Sequence, residues 1–198
     1  MKKISVFASG SGSNLQSIID QIEQGHLAAE IAFVLSNNSS SRALERARTH
    51  KIRAIHFSTK QYPDPAIYAD TLLQLHRESG VDLVLLAGYM KLLPISFVRA
   101  YRGRILNIHP ALLPKFGGQG MYGIHVHEAV IRAGEKESGA SVHAVTENYD
   151  EGPVLLQEKV PVLPGDTPEI LAKRVLEAEH RIYPRAIGLV LEGKIKAL

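Results

Sequence analysis

Two polar residues at the end of an apolar run combine an amide with an imidazole. Asn107 and His109 close a run that predicts a β-strand over 105–109, so both side chains should point to one face of the sheet. An amide can donate a hydrogen bond to a developing oxyanion, and an imidazole can transfer protons near neutral pH. The pair is typical of acyl transfer, although a polar strand end before Pro110 is as typical of a purely structural role.

A carboxylate could join this pair from the turn Asp150-Glu151-Gly152-Pro153. Asp, Gly and Pro are common turn formers, so a plain β-turn is the simpler interpretation of this segment. The catalytic interpretation requires the chain to bring Asp150 back to His109. In that case we expect the carboxylate to raise the pKa of the imidazole, and the resulting imidazolium to stabilise negative charge.

A glycine-rich turn, Gly10-Ser11-Gly12-Ser13-Asn14, follows the first apolar run. Glycines allow a tight turn and a close approach of ligand, and the helix that follows offers N–H groups and the positive end of its dipole. Gly12, Ser13 and Asn14 are therefore predicted to bind phosphate, the alternative being a tight turn with a Ser or Asn helix cap. Leu15 replaces the third glycine of a dinucleotide fingerprint and no Gly-Lys-Ser/Thr is present, which favours a monophosphate over NAD or ATP.

The composition is that of an ordinary globular protein. The 198 residues are 45% hydrophobic and 22% charged, with a net charge of +3. The basic residues are scattered, which is not typical of a nucleic-acid-binding surface. The chain has no cysteine, which excludes disulfides, thiolate metal ligands and cysteine nucleophiles.

The apolar runs are short. None approaches the roughly 20 residues of a membrane-spanning helix, and the N-terminus does not have the pattern of a signal peptide. We therefore expect a cytoplasmic protein without nucleic-acid or membrane partners. The oligomeric state is left open, with a homodimer as one alternative.

Strand-like runs alternate with helical patterns, which predicts an α/β fold with a doubly wound, mostly parallel central sheet in a single domain over 1–198. Strands are expected at 4–8, 31–36, 54–57, 82–87 and 105–109, and helices at 14–24, 42–50 and 66–79. Two later strands, 141–145 and 154–160, should form an antiparallel edge. A last helix over 168–191 should be capped by Asp166 or Thr167 and kinked or ended at Pro184.

Several of these segments together resemble one enzyme family. The run Asn107-Ile108-His109-Pro110-Ala111-Leu112-Leu113-Pro114, with Ser141-Val142-His143 and the Asp150 turn, resembles the signature of the folate-dependent formyltransferases. The glycine turn is similar to the phosphate loop of the branch that formylates glycinamide ribonucleotide, and 179–184 to its late helix. The resemblance implies a Rossmann-like formyltransferase fold, a role in purine biosynthesis, and small-molecule substrates. The substrates would be 10-formyltetrahydrofolate, as co-substrate, and glycinamide ribonucleotide. The resemblance also implies catalysis without a metal.

The resemblance also implies a role for each matching residue. Asn107, His109 and Asp150 would be catalytic. The ribonucleotide would be bound by Gly12, Ser13, Asn14 and Glu179. The folate would be bound by Met90, Lys91, Leu92, Leu93, Asn107, Thr146 and Asp150.

Some segments depart from the family pattern. The loop 116–123 looks longer than usual, and its role as a lid over the site is left open. Lys91 stands where the family often has arginine, and a basic residue expected near Pro65 is missing. Both changes leave the contacts to the glutamate tail of the folate undefined.

Three further histidines allow more than one interpretation. His143 would be either a partner of Asp150 or a histidine satisfied within the sheet. His125 and His127 have a spacing that permits a metal pair on a strand, with His109 as a third ligand. The favoured alternative is that His127-Glu128 begins a helix.

Two kinds of rival function remain. Formyltetrahydrofolate hydrolase would carry an additional N-terminal domain and methionyl-tRNA formyltransferase an additional C-terminal one, and neither is recognised in the sequence. A non-catalytic module that binds a phosphate-bearing ligand would need the glycine turn but not Asn107, His109 and Asp150.

Overall fold

The computed structural model describes residues 1–198 and contains seven strands and six helices. In chain order the elements are β1 (Lys2–Phe7), α1 (Ser13–Glu23), β2 (Ala29–Ser36), α2 (Arg42–Thr49), β3 (Ala54–His56), α3 (Pro65–Glu78), β4 (Leu83–Leu86), α4 (Ile95–Ala100), β5 (Ile105–His109), α5 (Ile124–Arg132), β6 (Glu137–Ala144), β7 (Val154–Pro161) and α6 (Pro168–Leu191). The strands form one sheet in the order β3-β2-β1-β4-β5-β6-β7. The predicted doubly wound, mostly parallel sheet with an antiparallel edge is thereby confirmed.

The chain divides into two compact units, an amino-terminal unit, Met1–Leu106, and a carboxyl-terminal unit, Asn107–Leu198. The assignment of 1–198 to a single formyltransferase domain stays a prediction. None of the six helices combines the length and apolar character that crossing a membrane requires.

Parallel strands organise the amino-terminal unit. β1 pairs in parallel with β2 and with β4, and β2 pairs in parallel with β3. All four residues of β4 are buried, because helices on both faces of such a sheet leave no strand face in water. Parallel strands end at the same edge, so the glycine turn after β1 and the segment after β4 lie along the carboxyl edge of this sheet.

A buried histidine lies in the core of the amino-terminal unit. His76 is fully buried. Its Nδ1–H donates to the carbonyl of Leu72 at 2.8 Å, which leaves Nε2 to accept from the hydroxyl of Ser5 at 3.1 Å. Burial lowers the pKa of His76 to about 4. Its ring lies against the rings of Phe7, Phe33, Phe97 and Tyr101.

An antiparallel pair and a long helix organise the carboxyl-terminal unit. β6 and β7 pair in antiparallel register, with an irregularity between Val142 and His143. α6 spans 24 residues and contacts β6, β7 and α5. Of the two predicted caps, it is Thr167 that accepts a hydrogen bond, from the N–H of Ile170 at 3.3 Å.

The structure differs from the sequence prediction at α4 and α5, and it decides one alternative at α6. α4 was not expected, because its six residues, starting after Pro94, are too few to establish a hydrophobic period. α5 begins at Ile124 rather than at His127. Pro184 does not end α6, because Pro184 is buried with its neighbours and this packing outweighs the one missing N–H donor. The alternative, a kink at Pro184, stays a prediction.

Candidate active site

The glycine turn of the amino-terminal unit depends on Gly12. This residue is the N-cap of α1 and has φ 70° and ψ 28°, in the left-handed region. A Cβ there would lie 2.8 Å from Cα of Ala43 and 2.9 Å from its Cβ. Conformation and space therefore both require glycine. No side chain caps this helix, so the alternative of a Ser or Asn cap is wrong, and Ser13 and Asn14 occupy the first helical positions.

Arg46 supports the glycine turn from α2. Its Nε–H donates to the carbonyl of Ser11 at 2.9 Å, and its Nη1–H to Oε1 of Gln16 at 3.0 Å. The N–H of Ala43 donates to the carbonyl of Gly10 at 3.1 Å. Sequence reasoning missed Arg46, because no short motif joins residues 35 positions apart. The arginine fixes the turn and places a positive charge beside the end of a helix that already favours anions.

Ser9 connects the glycine turn to the segment after β4. Its hydroxyl donates to Oδ1 of Asn37 at 2.5 Å and accepts from the N–H of Met90 at 2.8 Å. The predicted folate-binding residues Met90, Lys91, Leu92 and Leu93 follow this anchor. Met90 is 47% exposed and Leu92 is 72% exposed, so this segment presents apolar surface to solvent.

Asp150 brings together the polar side chains of the carboxyl-terminal unit. Its Oδ2 lies 3.6 Å from Nδ1 of His109, and its Oδ1 lies 3.4 Å from Nε2 of His143. Nδ2 of Asn107 is 3.0 Å from the same Nε2. The side chains of His109, His143 and Asp150 are only 5%, 2% and 7% exposed. The three residues predicted to be catalytic thus lie in one buried cluster, with His143 as a fourth member.

The backbone conformation at Asp150 places its carboxylate beside His109 and His143. Asp150 has φ 51°, a left-handed conformation that side-chain-bearing residues rarely adopt. The N–H of Gly118 donates to Oδ2 of Asp150 at 2.9 Å. A Cβ on Gly117 would crowd Leu113 and Asp150, and one on Gly152 would overlap the carbonyl of Ala144. Two glycines therefore allow the close approach that holds the turn in place.

The charges in this cluster differ from the sequence prediction. Burial lowers the pKa of His109, and the opposing influences of Asp150 and of the hydrogen bond to Phe116 do not offset it. The prediction of a raised His109 pKa is therefore wrong, because desolvation outweighs an ion pair as long as 3.6 Å. Burial also disfavours the Asp150 carboxylate, but His143, the Gly118 N–H and the charge of His109 together hold the pKa of Asp150 below its usual value.

A backbone carbonyl defines one donor nitrogen on each of the two imidazoles. His143 Nδ1–H donates to the carbonyl of Ala144 at 2.9 Å. Its Nε2 lies 3.0 Å from the amide nitrogen of Asn107 and 3.4 Å from Oδ1 of Asp150, and it accepts from Asn107 in the neutral ring and donates to Asp150 in the imidazolium. His109 Nε2–H donates to the carbonyl of Phe116 at 2.8 Å, so its Nδ1 faces the carboxylate. Of the two interpretations of His143, the partner of Asp150 is the one that the structure supports.

The remaining histidines do not form the metal pair that a strand would allow. His125 and His127 lie on helix α5, where residues two apart point in nearly opposite directions. His125 is exposed and contacts Glu128 at 3.1 Å. His127 is buried, and burial together with the charge of His109 lowers its pKa to about 4. No group of three or more His, Asp or Glu side chains is arranged to hold a metal ion, and the metal-free mechanism stays a prediction.

Ser141 fixes the loop that follows β5. Its hydroxyl donates to the carbonyl of Ala111 at 2.6 Å and accepts from the N–H of Leu113 at 3.0 Å. Gln157 adds a third hydrogen bond to the same oxygen, at 2.8 Å. Sequence reasoning assigned no role to Ser141, although it belongs to the Ser141-Val142-His143 segment that carried part of the resemblance.

Two other predicted binding residues belong to the carboxyl-terminal unit. Glu179 lies on α6 and is 7% exposed. Thr146 precedes the Asp150 turn, and its hydroxyl donates to the carbonyl of Asn148 at 3.3 Å. The structure does not test their roles, nor those of the other predicted site residues.

Comparison with known proteins agrees with this architecture. A family model described as formyl transferase matches residues 2–187. Phosphoribosylglycinamide formyltransferase of Escherichia coli (strain K12) is 40% identical over 198 residues, which is 98% of this chain and 89% of that protein. The chloroplastic phosphoribosylglycinamide formyltransferase of Arabidopsis thaliana is 44% identical over 98% of this chain and 67% of that protein.

A solved structure shows the same fold. Glycinamide ribonucleotide transformylase 1 from Symbiobacterium toebii superimposes with a TM-score of 0.91 at 44% identity. The match covers 98% of this chain and 89% of that one. The family model and the relatives confirm the family that the signature residues predicted: the chain belongs to the formyl transferase family.

Proposed function

We propose that this formyltransferase transfers the formyl group of 10-formyltetrahydrofolate to the amine of 5′-phosphoribosylglycinamide, a step of purine biosynthesis. The observation that carries the proposal is the buried contact of Asp150 with His109 and His143, beside the amide of Asn107. The names of the relatives in Escherichia coli and Arabidopsis thaliana support this choice of acceptor.

The amide of Asn107 is proposed to stabilise the oxyanion. Attack of the neutral substrate amine on the formyl carbon places a negative charge on the formyl oxygen. Nδ2 of Asn107 has two N–H groups and donates one to His143, so the second N–H is available to the formyl oxygen. A donor held in place before the reaction stabilises this charge without reorganisation, and removing such a donor slows turnover on the order of 100- to 1000-fold.

His109 and Asp150 are proposed to carry the proton. A buried imidazole of lowered pKa starts neutral, and growing negative charge beside it favours its protonation. The amine proton passes to the His109–Asp150 pair as the carbon–nitrogen bond forms. The pair returns it to the folate nitrogen as the old carbon–nitrogen bond breaks, so protons and charge balance over the cycle. His143 holds the Asn107 amide in position, and the N–H of Gly118 holds the carboxylate.

Substrate binding is proposed to use the predicted residues. The N–H groups of Gly12, Ser13 and Asn14 at the start of α1 would bind the phosphate, because the N-terminus of a helix favours anions. The carboxylate of Glu179 would accept hydrogen bonds from the ribose hydroxyls.

The folate is proposed to contact the exposed apolar segment 90–93 and Thr146. The exposed side chains of Met90 and Leu92 fit a planar aromatic body, and Lys91 would meet the anionic tail with one point charge. A homodimer and a cytoplasmic location stay predictions.

The decisive experiment is an assay of formyl transfer from 10-formyltetrahydrofolate to 5′-phosphoribosylglycinamide. We expect product only when both substrates are present. Asn107→Ala, His109→Ala and Asp150→Asn should each reduce kcat by at least about 100-fold, whereas His125→Ala changes an exposed histidine outside the cluster and should leave kcat unchanged.

Two outcomes would contradict the proposed activity, and a third would contradict the proposed mechanism. Release of formate without the ribonucleotide would identify a hydrolase. Binding of both ligands in a thermal-shift experiment without any turnover would identify a binding module. Nearly unchanged turnover in His109→Ala or Asn107→Ala would remove those residues from the mechanism.

A further inference from the structure

A cavity in the amino-terminal unit is lined by cationic and aromatic side chains. It has a volume of about 350 Å³, and Arg77, Arg104 and Tyr101 are among the residues that line it. Gly80 and Val81 form part of its wall. The volume is within the range of small-molecule sites, roughly 300–1,000 Å³.

This cavity lies at the opposite edge of the sheet from the glycine turn. Val81 precedes β4, whereas Met90 follows it, and Ser9 anchors Met90 beside the glycine turn. β4 runs parallel to β1, so its start and its end mark the two edges of this part of the sheet. Its four residues alone span about 13 Å. A ligand in the cavity would therefore be separate from one bound at the glycine turn.

The positive charge of the cavity is not neutralised by a carboxylate. Arg77 and Arg104 take part in no ion pair, and Arg104 donates only to the carbonyl of Ala100, at 2.8 Å. The nearest carboxylates in sequence have other partners: Asp82 pairs with Lys2 at 2.8 Å, and Glu78 accepts from Gln74 at 2.7 Å. Two guanidinium groups at one cavity favour an anion, and their planar donor forks match phosphate geometry.

Tyr101 adds a hydroxyl donor to the wall of the cavity. Only 4% of the residue is exposed. Its ring stacks on Phe97 at 5.0 Å, and the guanidinium carbon of Arg104 lies 4.4 Å from the ring centroid. The hydroxyl oxygen is accessible rather than buried and has no hydrogen-bond partner in the protein, so it is available as a donor to a ligand. An acceptor inside the cavity would satisfy it.

We propose that this cavity binds a small phosphate-bearing molecule, held by the guanidinium groups of Arg77 and Arg104 and by the hydroxyl of Tyr101. All three side chains can donate hydrogen bonds, and an ionised phosphate can accept them through all its oxygens. The cavity is larger than a phosphate ion alone requires, so a phosphate monoester with a larger body also fits. This site does not depend on the proposed formyl transfer.

The test is a residue-resolved NMR titration of the full chain with inorganic phosphate and, separately, with adenosine monophosphate. Amide signals of Gly80, Val81 and Gly103 report on the cavity, and those of Ser11 to Asn14 report on the glycine turn. We expect saturable shifts of the cavity signals with at least one probe. Tighter binding of the nucleotide would show that the larger body contributes, and equal affinity would show that the phosphate is what the cavity recognises.

Variants identify the side chains responsible. Arg77→Gln and Arg104→Gln should each weaken binding at the cavity about tenfold or more, and Tyr101→Phe should weaken it severalfold while retaining the buried ring. Arg102→Ala removes an exposed arginine that does not line the cavity, and it should leave the affinity unchanged. All four variants should keep the shifts at the glycine turn, which also verifies that they fold.

Three results would overturn the proposal. The first is the absence of cavity shifts with both probes. The second is cavity binding that survives the combined Arg77→Gln and Arg104→Gln changes. The third is an equal loss of affinity in Arg102→Ala, since this would show general attraction of anions rather than a site.

Discussion

His76 in the amino-terminal unit and His109 in the carboxyl-terminal unit are both buried, and burial lowers the pKa of both. Their surroundings differ. His76 has neutral partners on both ring nitrogens and aromatic rings on its faces. His109 has a carbonyl on one nitrogen and the Asp150 carboxylate 3.6 Å from the other. A histidine with only neutral partners is held neutral, whereas one beside a carboxylate can gain a proton when negative charge develops nearby.

The largest expected difference between the two histidines is in turnover. His109→Ala should reduce kcat on the order of 100- to 1000-fold, because it removes a group proposed to move the proton. His76→Phe should leave the kcat of the folded molecules unchanged. The measurement is the steady-state rate, divided by the folded fraction from circular dichroism. Equal losses of kcat in the two variants would contradict a role in catalysis for His109 that His76 lacks.

Acid should destabilise the protein through its buried neutral histidines. The pKa values of His76 and His127 are about 4 in the folded chain, against 6.5 when unfolded, so between pH 6.5 and 4 the unfolded chain binds more protons. Stability therefore falls as the pH is lowered through this window, by up to about 3 kcal/mol per histidine.

Urea unfolding at pH 7 and pH 4.5 measures this loss. His76→Phe should show a smaller loss than the wild type, because one titrating group is gone. An unchanged pH dependence in His76→Phe would show that His76 is not held neutral.

The left-handed glycine of the glycine turn, Gly12, extends the comparison to the backbone. Gly12→Ala should reduce stability by about 1–3 kcal/mol and weaken phosphate binding, because the added Cβ is strained and meets Ala43. Gly10→Ala is the matched control, since nothing lies within 4 Å of its Cβ position. Thermal unfolding and phosphate titration of both variants measure the difference, and equal behaviour would contradict the requirement for glycine at position 12.

The smallest effect is expected at Ser5. Ser5→Ala removes the donor to Nε2 of His76 and should reduce stability by about 1 kcal/mol, because a buried acceptor loses its partner. Turnover should not change. Chemical unfolding gives the free energy of unfolding, and the formyl-transfer assay gives kcat. If kcat falls by more than the smaller folded fraction accounts for, the His76 region affects the chemistry.

Hydrophobic period and turn chemistry were sufficient to predict most of the fold. β5 and α6 have the predicted bounds, and the other predicted elements differ by a few residues at their ends. Short elements were the exception: α4 is too brief to show a period. The continuation of α6 through Pro184 depends on packing around that residue, which is a tertiary effect.

The candidate site was predictable where a short motif carries it. The Asn-x-His strand end and the Asp150 turn indicated residues that the structure brings together. Arg46 and Ser141 were missed, because their partners are distant in sequence and the hydrogen bonds go to backbone atoms that any residue has. The direction of the His109 pKa was wrong, because the degree of burial is not encoded in local spacing.

The carbonyl of Phe116 has a consequence for ligand affinity. It accepts the Nε2–H of His109 from a residue with φ 56° in the 116–123 loop. A ligand that accepts this N–H has to displace the carbonyl of Phe116. Because that carbonyl belongs to the same chain, its effective concentration is high. Changes of sequence in the loop can therefore alter the affinity for such a ligand while leaving His109 itself unchanged.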